Sequence, residues 1–298
     1  MKLKAIYRNG NYRVRLYDDG TKIRETITPE ENEFVSEFPE SIDLKITNKC
    51  DLNCPMCHED SNIDGLHGDI NMDFIKTIPE YTEIAIGGGN PLEHPRLLEL
   101  LHYFKQHNII ANITVNQLHF MKNLLVIDIL IKNNLINGIG ISYDHFDINF
   151  IHELKNRKNI VLHVIAGLIS LDDLIKLKDK GLKILILGYK DFRRGSKLYT
   201  DEFYKDKINN SLHELKMSLT DVYKWFDIVS FDNLAIKQLL VKNTMNNFQW
   251  EEFYQGDDGS HTFYIDLVNK QFAKNSTSLE RYNLLSDVTE MFKKIKIM

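Results

Sequence analysis

Three cysteines, Cys50, Cys54 and Cys57, stand within eight residues in the run CDLNCPMC, and the 298-residue chain has no others. Three thiols on so short a segment cannot all pair as disulfides, which excludes a disulfide scaffold. They can converge on one metal centre, the usual role of such clusters where thiols stay reduced. A structural zinc asks for four protein ligands in a closed tetrahedron, and His58 or His67 is available as the fourth. An iron–sulfur cubane held by three thiolates instead leaves one iron open, and an open iron is a place for chemistry.

The elements that must position these thiols follow from the pattern of apolar runs. Ile/Val/Leu-rich runs begin near Ser41 (SIDLKIT), Glu83 (EIAIGG), Ile109 (IIANITVN), Gly138 (GIGISYD), Asn159 (NIVLHVIAG) and Gly181 (GLKILILGY). Helical patterns such as HPRLLELLHYFKQH and LISLDDLIKLKDK lie between them. Strands alternating with helices specify βα units and a parallel sheet, and near-continuous apolar runs fit strands covered on both faces. The expected fold is α/β, a partial (β/α)6 TIM-like barrel, with a seventh candidate strand in DIVSFDNL near Asp227. Asn9-Gly10 and Asp19-Gly20 between alternating runs predict an N-terminal β-hairpin appendage. A C-terminal β-hairpin/helix cap is expected from FYIDLVNKQFA, turning at Val268-Asn269-Lys270, and from the helix that ends in MFKKIKIM. The corresponding bounds are 1–40 for the appendage, 41–242 for the barrel and 243–298 for the cap.

A C-x3-C-x2-C loop directly after the first strand of a βα barrel resembles the signature of the radical S-adenosylmethionine (radical SAM) superfamily. The resemblance covers about residues 41–190. It implies that Cys50, Cys54 and Cys57 bind a [4Fe–4S] cluster whose fourth iron is chelated by the amino and carboxylate groups of S-adenosyl-L-methionine. One-electron reduction then releases methionine and a 5′-deoxyadenosyl radical, which takes hydrogen from a substrate. Two positions depart from the family pattern. Met56 replaces the usual aromatic residue before the third cysteine, and GGGNP replaces Gly-Gly-Glu-Pro at the end of the second strand. By register Gly88 and Gly89 let the backbone approach the methionine end of the cofactor, and Asn90 offers its amide oxygen to the amino group. The resemblance further assigns Asn116, Ser142 or Asp144, and Ile165, at the ends of the next three strands, to the rest of the cofactor. Gly167 is expected to keep that approach open. Functional groups belong at such C-terminal strand ends. Lys190, Arg193 and Arg194 follow the sixth strand and are candidates for a cofactor or substrate carboxylate.

The tail resembles, in rhythm, the C-terminal extensions of radical enzymes that modify peptides, with Ser276 and Ser278 where thiols would stand. A second all-cysteine cluster is thereby excluded. Asp257, Asp258 and His261 are expected at the barrel mouth. The expected substrate is accordingly a peptide or protein side chain. A nucleoside or other small metabolite is the alternative, and a non-catalytic zinc or iron–sulfur module the third reading. The expected reductant is a flavodoxin or ferredoxin. The chain carries 37 Lys+Arg against 42 Asp+Glu, a net charge of −5, so no large nucleic acid is expected as partner. LLVIDILI at 124–131 is too short for a membrane span, and the N-terminus lacks a signal-peptide core. A cytoplasmic, oxygen-sensitive enzyme is the expectation.

Overall fold

Asn9-Gly10 and Asp19-Gly20 turn the chain back twice, so that β1 (Leu3–Asn9), β2 (Tyr12–Tyr17) and β3 (Lys22–Thr26) form an antiparallel three-stranded sheet. The computed structural model describes residues 2–28, 30–31 and 33–297. Met1, Pro29, Asn32 and Met298, which fall in the expected appendage and cap, lie outside the described residues. Alternation along β2 buries Tyr12, Val14 and Leu16 on one face. The Tyr12 hydroxyl donates to Glu40, which Arg24 also grips at 2.8 Å, and this fastens the small sheet to the start of the next strand.

From Ser41 strands and helices alternate: β4 (Ser41–Thr47), β5 (Glu83–Gly88), α1 (Leu97–Gln106), β6 (Ile110–Asn116), α2 (Gln117–Lys122) and α3 (Leu124–Lys132) come first. Then follow β7 (Gly138–Ser142), α4 (Ile148–Lys155), β8 (Ile160–Ile165), α5 (Leu171–Leu177) and β9 (Lys183–Leu187). Next come α6 (Arg194–Tyr199), α7 (Glu202–Trp225), β10 (Ile228–Phe231) and α8 (Asn233–Gln238). The tail adds α9 (Asn247–Phe253), β11 (Thr262–Asp266), β12 (Gln271–Ala273), β13 (Tyr282–Asn283) and α10 (Val288–Lys296). The six expected strands and the seventh are all present, and the tail hairpin is β11–β12.

Among the described residues the large sheet runs β10-β9-β8-β7-β6-β5-β4-β11-β12-β13, parallel from β10 to β11. The tail therefore does more than cover the barrel: β11 lies parallel beside β4 and extends its wall. The edge at β10 is stitched to the tail by Asp258, which accepts from Asn233 at 2.7 Å and Asn275 at 2.8 Å. No helix among the described residues is long and apolar enough to cross a membrane.

Burial divides the two faces of this curved sheet. Ile42, Leu44, Ile84, Ile86, Ile113, Ile141, Val164 and Ile186 are buried in the helix-covered layer. The alternate positions face the concave side and keep contact with solvent. One row by register is Asp43, Ala85, Asn112 and Gly138; another is Asn116, Ser142, His163, Leu185 and Ser230. Closed βα barrels fill this space with bulky branched side chains. Here Ala, Gly, Ser and Asn leave a polar lumen.

Candidate functional site

The loop after β4 carries the three cysteines over the C-terminal end of the sheet. It folds back on its own root through bridges pairing Thr47 with His67 and Lys49 with Asn62, and the Cys50 amide donates to Asn62 at 2.8 Å. A tight turn brings the Cys57 amide to the Cys54 carbonyl at 3.2 Å. All three thiols are free and partly accessible. Partial burial, together with neighbouring acidic groups and thiols, pushes the Cys50 and Cys54 thiols up. A bound cation reverses that, since metal ligation selects the thiolate. Three free, partly accessible thiols on one loop are a donor set that fits an iron–sulfur cluster with a ligand-accessible iron.

The glycines after β5 explain how the loop root is held. The Gly89 amide donates to the Thr47 carbonyl at 2.8 Å and the Asn90 amide to the Lys49 carbonyl at 2.7 Å. A Cβ on Gly88 would lie 2.2 Å from the Thr47 oxygen, and one on Gly89 would lie 2.1 Å from that of Lys49. The close approach visible here is thus between β5 and the cysteine loop. Gly87, which the sequence reading passed over, has open space before its Cα and faces the lumen. The buried Asn90 side chain turns into its own turn, accepting from the Leu92 amide at 3.3 Å and donating to Glu93 at 3.0 Å.

The other expected residues stand at the same rim. The Asn116 oxygen caps α2 by accepting from the Leu118 amide at 2.8 Å. Ser142 is its lumen-facing neighbour in register. Asp144 lies close enough to Cys54 to raise its thiol, and it pairs with His145 at 2.7 Å. Ile165 ends β8 on the lumen side. Gly167 has another reason to be glycine than the open approach expected for it: its φ is 86°, and a Cβ there would lie 2.8 Å from the Ile208 side chain of α7. His261 does not stand at the mouth. β11 runs parallel to β4, so the residue before it joins Tyr12 at 3.2 Å at the opposite end of the barrel from the cysteines. Asp258 is spent on the seam and Asp257 is exposed.

The basic run after β9 divides by role. Arg193 donates to the Glu59 carbonyl at 2.8 Å, while Arg194 donates to Asn53 and the Ser61 carbonyl and faces Asp60 at 3.1 Å. Both arginines clamp the cysteine loop. Lys190 instead reaches the lumen side, where its ammonium meets His58 Nε2 at 3.2 Å and Ser276 Oγ at 3.0 Å. With His58 so placed, and His67 bound to Thr47 at 2.9 Å, neither expected zinc partner joins the thiols. The set that does converge with a cysteine is Cys50, Asp51 and His119, with His119 and Asp51 at 2.6 Å.

Beneath the loop lies a buried ionic network that the sequence reading missed. Lys45 Nζ meets Glu59 at 2.9 Å and Asp266 at 3.3 Å, and the Tyr264 hydroxyl donates to Glu59 at 3.0 Å. Burial alone would raise the Glu59 carboxyl, but the Lys45 ammonium and the Tyr264 hydroxyl hold it well below the usual carboxylate range. Asp43 and Lys45 alternate with Ile42, Leu44 and Ile46 along the strand, and that spacing was the available signal for charge on the inner face. Among the described residues Asp43 has no such ion-pair partner. Enclosure by protein raises its carboxyl to about 6 against a partial offset from Lys190, although the lumen still wets it.

No protein-family profile matches the chain. A stretch of 149 residues is 28% identical to the tungsten-containing aldehyde ferredoxin oxidoreductase cofactor-modifying protein of Pyrococcus furiosus, covering 46% of this chain and 38% of that protein. Among solved structures, SuiB of Streptococcus suis superposes with a TM-score of 0.61 at 11% identity, covering 98% of this chain and 88% of SuiB. SuiB bound to the precursor peptide SuiA gives 0.58 at 14% identity, covering 87% and 65%. SuiB bound to S-adenosylmethionine gives 0.55 at 13%, covering 84% and 64%. At these identities the solved structures speak to fold. The chain spans well under half the length of the curated relative and just under two thirds of SuiB in its two complexes.

The shared fold is that of SuiB, and the triple-cysteine loop stands directly after β4, where the resemblance to the radical SAM superfamily expects it. The chain is similar in fold to SuiB, and over part of its length in sequence to the Pyrococcus protein.

Proposed function

We propose that the protein is a radical SAM enzyme acting on a peptide or protein side chain that enters the barrel lumen. The observation that carries this reading is the placement of three free thiols on a loop braced at the C-terminal end of a sheet whose concave face is polar and partly exposed. Cys50, Cys54 and Cys57 would hold the cluster. The Gly87–Asn90 edge would flank the methionine end of S-adenosylmethionine, with Asn116, Ser142, Asp144 and Ile165 further along it. When bound, these groups supply reductive cleavage of the S–C5′ bond and hydrogen abstraction from the substrate. The chain's own part is to fix the loop through Arg193, Arg194 and the Lys45–Glu59 pair, and to exclude solvent around the reacting centre. A flavodoxin or ferredoxin would deliver the electron.

The fold likeness to a protein crystallised with a precursor peptide supports the peptide reading. The Pyrococcus relative, named as cofactor-modifying, favours a second reading in which a small molecule is modified. Deuterium separates them. Deuterated candidate peptides incubated anaerobically with reconstituted enzyme, reductant and S-adenosylmethionine are expected to pass label into 5′-deoxyadenosine. Label arriving only from small metabolites would overturn the peptide assignment.

A further inference from the structure

We propose that Lys190 and Ser276 form a carboxylate-binding subsite that receives an acidic group of the substrate at the rim of the lumen. The proposal rests on the reading that substrate enters the barrel. Its starting point is an imbalance of charge. Arg193 and Arg194, on the same loop, are committed to backbone carbonyls and acids of the cysteine loop. Lys190 touches only an imidazole nitrogen and a hydroxyl, and among the described residues no carboxylate comes within 4.0 Å of its ammonium. A partly buried ammonium with two neutral contacts retains most of its capacity for an anion, and such charge-assisted bonds are the strong ones.

The location fits a ligand group better than a structural one. Three separate segments meet there: His58 directly after the third cysteine, Lys190 after β9, and Ser276 after β12. Ser276 therefore gives the tail a contact at the site, at a position where the sequence left its role open. Across the concave face, His163 and Asp43 also feel the charge of Lys190, so its field reaches into the lumen. A carboxylate arriving beside Lys190 can accept one bond from the ammonium and one from the Ser276 hydroxyl.

The test uses N-acetyl-L-glutamate as probe and N-acetyl-L-glutamine as its neutral counterpart, followed by ligand-observed NMR on the anaerobically reconstituted protein. The wild-type protein is expected to bind the acid at least tenfold more tightly than the amide. Lys190→Met is expected to bring the two within twofold, Lys190→Arg to keep the preference, and Ser276→Ala to weaken acid binding severalfold. Equal binding of both probes by the wild type would overturn the proposal, as would an acid preference that survives in Lys190→Met. If Lys190→Met does not fold by circular dichroism, the decision passes to Ser276→Ala, where unchanged acid binding overturns the subsite. Affinity for S-adenosylmethionine is measured in parallel and is expected to stay within twofold in Lys190→Met. A loss confined to S-adenosylmethionine would move the lysine to the cofactor carboxylate and overturn the substrate assignment. Probe binding needs no turnover, so an inactive but acid-selective protein would count against the radical chemistry and leave this subsite standing.

Discussion

Replacing Cys54 with alanine is expected to remove iron and activity together. Cys54 is the middle thiol of the loop, its carbonyl accepts the Cys57 amide, and Arg194 holds the neighbouring Asn53. Without its sulfur, two thiolates remain; His58 and His67 are engaged elsewhere, and His119, which lies with Cys50, is already paired with Asp51 at 2.6 Å. The variant should fold, because Cys54 lies on a partly exposed loop and outside the apolar core. We expect a colourless protein with a melting curve close to that of the wild-type apo form, and a loss of 5′-deoxyadenosine formation of more than about a hundredfold, the upper end of what losing a supporting residue causes. Iron analysis and anaerobic product assays check both. A Cys54→Ala protein that keeps its brown colour and turns over would refute the ligand assignment.

The second large effect is on stability. Lys45 is fully buried between Glu59, which ties it to the cysteine loop, and Asp266, at the end of β11. Lys45→Met preserves volume but removes the cation that Glu59 and Asp266 share, leaving Asp266 without an ion-pair partner among the described residues and Glu59 with Arg193 at 3.6 Å. Removing one partner of a buried pair costs on the order of 3–5 kcal/mol, because an uncompensated charge remains. Denaturant unfolding of the apo protein should show a loss of that size. Glu59→Gln in the same background should recover part of it, as one of the two carboxylate charges is then gone. A Lys45→Met protein within about 1 kcal/mol of wild type, the value of a surface pair, would mean that the network does not hold loop and barrel together.

How far the sequence anticipated this arrangement depended on the range of the interactions. The βα rhythm was legible because each strand repeats its own outer stripe, as in IIANITVN, where Ile113 and Val115 face the helices. Asn9-Gly10 and Asp19-Gly20 marked their turns for an equally local reason. The parallel pairing of β11 with β4 joins residues more than two hundred positions apart, and nothing local signals it. His261 was misplaced on that account, since the end of the barrel it occupies depends on the direction of β11. The cysteines stood out as candidates from their spacing alone. The clamp by Arg193 and Arg194, the Lys45 network and the pressing of Gly88 and Gly89 against the loop root were not, because each depends on which backbone lies opposite.

The most direct measurement is made on the unaltered protein. Iron and sulfide are rebuilt into it without oxygen, and S-adenosylmethionine and dithionite are added. The expected result is a brown protein that forms 5′-deoxyadenosine and methionine in equal amounts, with neither formed when reductant is withheld. A colourless protein that retains zinc and never forms 5′-deoxyadenosine would contradict the central claim that the three thiols hold a radical-generating centre.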